Sequence, residues 1–120
     1  MNDRSQVKAL VDQFLDVLLN DDASKLPLAA DVEFHGSMQP EPIHGEAAVR
    51  EHLQEVSPFL EEARYTKLII EGGSAAAVTK FVGVNGVKGK GTYIFEVDNG
   101  KITSISGLFD TRPFFTGRNS

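Results

Sequence analysis

The sequence contains no cysteine in its 120 residues. That excludes disulfides, thiolate catalysis and zinc–thiolate centres. It also lacks any concentration of Lys and Arg, and its net charge is −5. Neutralising phosphates requires a basic face, so nucleic acid is not an expected partner. A polybasic attachment to lipid is not expected either. No apolar run approaches the roughly 18 residues needed to cross a bilayer, so no membrane partner is expected. The three histidines, His35, His44 and His52, form neither an H-x-x-x-H nor an H-x-H pair. A metal site is therefore not expected. Gly83, Gly86, Gly89 and Gly91 flank a hairpin with no helix after them, so they do not make a phosphate loop. The first six residues are polar and lead into an amphipathic segment, unlike a secretory leader. Cytoplasmic location is the default expectation.

What is present is the ordinary mix of a globular chain, with 41% hydrophobic and 24% charged residues. Its length suits one domain spanning residues 1–120. Val7, Leu10, Val11, Phe14, Leu15, Leu18 and Leu19 fall on one helical face. A short helical turn interrupted by Pro27 is expected over residues 23–30, and a strand over 31–36. Residues 36–45, with two prolines and two glycines, read as a loop. A second helix is expected over 46–57, with Val49, Leu53, Val56 and Leu60 marking its stripe. Pro58 ends it, since a residue before proline avoids helical angles.

From Ala63 the apolar period changes to two. Four strands are expected, over 63–71, 75–84, 90–98 and 101–109. Gly72-Gly73-Ser74, Asn85-Gly86 and Asp98-Asn99-Gly100 supply the turns. The order is α+β: a curved antiparallel sheet wrapped around helices, forming a cone with an internal pocket. The pocket is expected to be apolar and lined by Phe14, Met38, Val82, Phe95 and Phe109.

Four side chains are candidates for chemistry. Asp110 closes an apolar strand, where partial desolvation raises a carboxyl pKa and suits acid/base work. Alternation groups Lys80 with Val78, Val82 and Val84; if that face is concave, Lys80 enters the pocket and partners Asp110. Tyr93 shares a face with Phe95 and Val97 and can offer a phenolic donor to a ligand oxygen. His35 alternates with Phe34 and reaches the pocket only if a bulge turns it. The bland alternatives are a surface turn residue for Asp110, a solvated strand residue for Lys80 and ordinary half-buried or exposed positions for the other two.

Three segments carry a family resemblance. They are Ala30-Asp31-Val32-Glu33-Phe34-His35-Gly36 followed by Glu41-Pro42-Ile43-His44-Gly45-Glu46-Ala47-Ala48-Val49-Arg50, then Ile94 to Ile102, then Leu108-Phe109-Asp110-Thr111-Arg112-Pro113-Phe114. On these the chain resembles the nuclear transport factor 2-like superfamily, in particular its SnoaL-like and ketosteroid isomerase-like members. The resemblance implies the cone fold, a small, largely apolar ligand, no cofactor, and a homodimer formed through the convex sheet face. Thr79, Phe81, Thr92 and Ile94 are expected on that face. By ungapped comparison, Phe14, Gly36 and Tyr93 replace the isomerase's tyrosine, general-base aspartate and neutral aspartic acid. Lys80 and Val82 replace the first two members of the epoxide hydrolases' Arg–Asp–Asp cluster, while Asp110 matches the third. Asp110 also resembles the acid/base aspartate of SnoaL-type cyclases. Two readings stay open: a cofactor-free isomerase, cyclase, dehydratase or hydrolase, and a non-catalytic binding or dimerising module.

Overall fold

A computed structural model describes residues 4–20, 22–36, 40–84 and 86–109. Helix α1, Arg4–Asn20, buries Val7, Leu10, Val11, Phe14, Leu15, Val17 and Leu18. It ends where the Asn20 amide donates to the Asp16 carbonyl, an alternative to continuing the helical ladder. A strand β1, Leu28–Gly36, follows a turn rather than a helical stretch. The reason is local: Pro27 has no N–H to donate, while its carbonyl accepts from Ile102 N at 2.9 Å and starts the pairing of β1. Strand β2 is only Ile43–His44, inside the segment that reads as loop, and pairs with Phe34 and Glu33. Helix α2, Glu46–Val56, buries Val49 and Leu53. Arg50 on α2 pairs with Glu46 at 2.7 Å and donates to the Ala23 carbonyl, tying the helix to the connection after α1.

A single 3-10 turn, Ser57–Phe59, leads into four long strands. These are β3 (Leu60–Glu71), β4 (Ser74–Gly83), β5 (Lys88–Asp98) and β6 (Lys101–Phe109). The sheet order is β2-β1-β6-β5-β4-β3. The last four strands form the expected antiparallel meander. The sheet is nevertheless mixed, because β1 runs parallel to β6. That pairing joins the first strand to the last, after α2 has carried the chain from β2 at one edge of the sheet to β3 at the other.

The helices cover one face of the sheet. The inner rows are in register: Ala75 beside Phe95 beside Ile105 beside Phe34, then Ala77 beside Tyr93 beside Gly107 beside Gly36. Thr79 and Phe81 continue the inner face of β4 and are buried. This corrects the expected phase of that strand. Thr79 and Phe81 are not on the convex face, and the side chains of Lys80 and Val82 turn outward. The physical reason is complementarity of size. The rings of Tyr93 and Phe95 on β5 need small neighbours, and Ala75 and Ala77 supply them. A phase placing Val78 and Lys80 inside would crowd the rings and bury a charge.

Candidate functional site

The inner face around Tyr93 is built from strands β1, β4, β5 and β6 and helix α1. Tyr93 is 4% exposed. Its ring meets Phe14 of α1 edge-on at 4.8 Å between centroids, and Phe81 at 6.1 Å. Phe14 also packs edge-on against Phe95 at 5.1 Å. Phe14 and Phe95 are completely buried. At their level the space between helix and sheet is therefore filled by rings.

On the other side of Tyr93 the inner surface changes character. Gly107 and Gly36 lie beside it in its own row. Gly91 and Gly89 follow on β5, opposite Thr79 and Phe81. Four inner-facing positions thus carry no side chain. Glycine inside a strand costs about 0.5–1 kcal/mol relative to alanine, and it marks places where a ligand or another backbone comes close. The Thr79 hydroxyl donates to the Gly91 carbonyl at 2.9 Å, so its polarity is committed to the sheet. Burial pushes the Tyr93 phenol well above its ordinary pKa, so it stays a neutral hydroxyl.

Helix α2 adds His52, half-buried against Phe34 with ring centroids 4.8 Å apart. Desolvation lowers its pKa below 6.5, against a smaller opposing pull from Glu55. In the sequence His52 stands out only as a metal-ligand candidate without a partner at ligand spacing. The missed signal is its spacing, three residues after buried Val49 and beside buried Leu53, on the inner edge of the helix.

The other expected site residues separate. Phe14, Tyr93 and Phe95 come together. Lys80 is exposed on the outer face, between Arg64 and Lys90 in register, and so does not enter the cone. Val82 lies on that same outer side, between Glu62 and Lys88. His35 points outward too, with Nε2 3.0 Å from the Glu33 carboxylate, which also sits 3.3 Å from His44 Nδ1. No bulge turns His35 inward, because β1 pairs in unbroken register with β6 from Glu33 to Gly36. Met38 and Asp110 lie outside the described residues, as does the side chain of Phe109. Among the described residues no cluster of His, Asp or Glu is arranged to hold a metal ion.

Two clefts open to the surface. One, of about 300 Å³, lies at the β1–β6 junction, where Gly36 and Gly107 of the Tyr93 row meet His35, Ser104, Ser106 and Leu108. The other, of about 310 Å³, lies between the start of α1 and β3, where Arg4 and Lys8 face Tyr65, Leu68 and Ile70. No described helix is long and apolar enough to cross a membrane.

The sequence profile of the SnoaL-like domain matches residues 11–105. No curated protein matches the chain by sequence. Among solved structures, a de novo designed protein with a curved β-sheet superposes with a TM-score of 0.81 at 20% identity, covering 98% of this chain and 96% of its own. A candidate SnoaL-like polyketide cyclase from Jannaschia sp. CCS1 gives 0.79 at 12% identity, with 97% and 96% covered. A Mycobacterium tuberculosis epoxide hydrolase gives 0.77 at 22% identity, with 94% and 89% covered. At these identities the likeness speaks to fold alone. That a designed protein stands among them underlines how little this fold says about chemistry.

Proposed function

The chain belongs to the SnoaL-like domain family, and from that premise we propose that it binds a small, largely apolar molecule on the inner face of its sheet. The ligand lies over Gly36, Gly107, Gly91 and Gly89, with the rings of Phe14 and Phe81 beside it. The Tyr93 hydroxyl supplies the polar contact, since a neutral phenol in an apolar setting hydrogen-bonds an uncharged ligand oxygen well. The observation that carries this reading is the run of inner-facing glycines around one buried phenol. The three that lie inside strands, Gly89, Gly91 and Gly107, sacrifice roughly 1.5–3 kcal/mol of strand stability, and Gly36 closes β1. A bare inner surface for a ligand accounts for keeping them.

The reading is tested with a panel of apolar ketones, 2-acetylnaphthalene among them, and the matching hydrocarbons such as 2-isopropylnaphthalene. Ketones are expected to bind, and Tyr93→Phe to weaken them about tenfold, or about 1.4 kcal/mol, while leaving hydrocarbon binding unchanged. If no member of the panel binds, or if Tyr93→Phe affects ketone and hydrocarbon alike, the reading fails.

A catalytic form of the same site is favoured by one observation, the occurrence of this fold in proteins named as a polyketide cyclase and an epoxide hydrolase. It assigns Asp110 as the proton-moving group of a cofactor-free isomerase, cyclase or hydrolase. Lys80 has no part in it, being exposed on the opposite face. Asp110→Asn separates the two forms: an enzyme loses turnover of any accepted substrate and keeps binding, whereas a binding module has no turnover to lose.

A further inference from the structure

Helix α2 brings one polar ring to the border of the bared surface. Its direction follows from the topology. Gly45 N donates to the Val32 carbonyl at 2.8 Å, so the helix starts beside Val32. It ends in the turn that delivers Leu60 to Gly83, at the other end of the sheet. Helix α2 therefore runs along β1 in the direction from Val32 to Gly36. Helical side chains lean towards the N-terminus, and the His52 ring meets Phe34 with 4.8 Å between centroids. Phe34 and Gly36 are consecutive inner positions of β1, about 7 Å apart. The imidazole thus lies one row from Gly36.

His52 is not what simple covering of Phe34 requires. Val49 and Leu53 beside it are buried, and an apolar side chain at this position would extend their stripe. A partly desolvated polar ring stands there instead, at a cost when it lacks a partner. Among the described residues no hydrogen bond engages its ring nitrogens. Desolvation holds the ring neutral at pH 7, against the weaker pull of Glu55, and a neutral imidazole keeps one nitrogen that accepts.

We propose that His52 sets the specificity of the inner site, accepting a hydrogen bond from a hydroxyl at one end of a ligand whose carbonyl oxygen meets Tyr93 at the other. This inference rests on the binding reading above. Tyr93, Gly107 and Gly36 form one row across three strands. Two strand spacings, about 10 Å, separate the strand of the phenol from the strand beneath His52. Between them Gly107 and Gly36 project nothing. A flat bicyclic skeleton with an oxygen at each end suits such a stretch, and a rigid one loses little freedom on binding. The ligand class is therefore a rigid hydroxyaryl ketone, not merely an apolar ketone.

The test titrates the full chain at neutral pH with 2-acetyl-6-hydroxynaphthalene, its methyl ether and 2-acetylnaphthalene. The hydroxyl is expected to tighten binding about tenfold over the unsubstituted ketone, whereas the ether, with no proton to donate, gains nothing. His52→Leu is expected to bind 2-acetylnaphthalene as the parent does and to lose the preference for the hydroxyl. His52→Gln, whose amide oxygen also accepts, is expected to keep part of it. The comparison of phenol and ether on the parent needs no variant, so it decides the matter even if His52→Leu folds poorly. A hydroxy ketone no tighter than the unsubstituted one, an ether that gains as much as the phenol, or a preference that survives in His52→Leu would each overturn the inference. In those outcomes 2-acetylnaphthalene still binds and still responds to Tyr93→Phe, so the binding reading stands; if none of the three ketones binds, both fall.

Discussion

Phe81 decides, at the scale of single residues, which way β4 faces. In the sequence Val78, Lys80, Val82 and Val84 make the more apolar-looking alternate set, and Ala75, Ala77, Thr79 and Phe81 the less obvious one. The second set is the buried one. It was not legible from β4 itself, because which face is inside depends on the rings β5 brings alongside. Phe81→Ala is therefore expected to cost about 3 kcal/mol in urea denaturation. A loss within about 0.5 kcal/mol, ordinary for an exposed position, would reverse the assigned phase. His52 was also hidden, since its role comes from contact with Phe34, a residue of another element. The folded state holds its pKa below the unfolded value of 6.5. Both states are neutral well above that value, so the full benefit is present there. As pH falls through 6.5 the unfolded chain takes up a proton first, and stability declines until the lower folded pKa is passed. Replacing His52 with Leu is expected to flatten this part of the stability–pH curve; an identical slope in the variant would show that His52 does not contribute.

Among the elements, the hairpins were the most readable. Asp98-Asn99-Gly100 is a turn signal by chemistry alone, and the structure puts φ at 52° for Asn99 and 74° for Gly100. Two successive left-handed residues make the turn whose twist matches the strands it joins. The constraint at Gly100 is its positive φ; a Cβ there would also lie 2.9 Å from the Gln6 side-chain nitrogen, the end of a flexible side chain that can move aside. Gly100→Ala is expected to lower stability by about 1 kcal/mol or more. An unchanged melting temperature would mean that neither the turn angle nor the contact with α1 matters. Helix α1 was equally legible, since its apolar spacing is complete within its own sequence. Strand β2 was not. Two residues carry no period, and Ile43–His44 becomes a strand only because Phe34 and Glu33 lie opposite.

For the molecule as a whole, the α+β order and curved sheet were readable because the change of period at Ala63 divides the chain into a helical part and a strand part. The parallel joining of β1 to β6 was not, since it pairs residues some 70 positions apart with no local signal. The candidate site was half legible. Tyr93, Phe95 and Phe14 emerged from alternation and helical spacing. Of the glycines beside them, Gly89 and Gly91 read only as hairpin residues, Gly36 as the replacement of the isomerase's aspartate, and Gly107 carries no signal, because their common placement depends on register across three strands. Their placement gives the molecule two faces of different character: an inner face bared around one phenol, and an outer face banded by charge. In the proposed function the inner face receives the ligand. Its most direct test is amide chemical-shift mapping of the full chain with 2-acetylnaphthalene. The expected result is perturbation centred on Gly89, Gly91 and Tyr93, reached only at about tenfold higher ligand concentration in Tyr93→Phe. Perturbation confined to the outer clefts near Ser104 or Lys8, with the Tyr93 region unmoved, would contradict it.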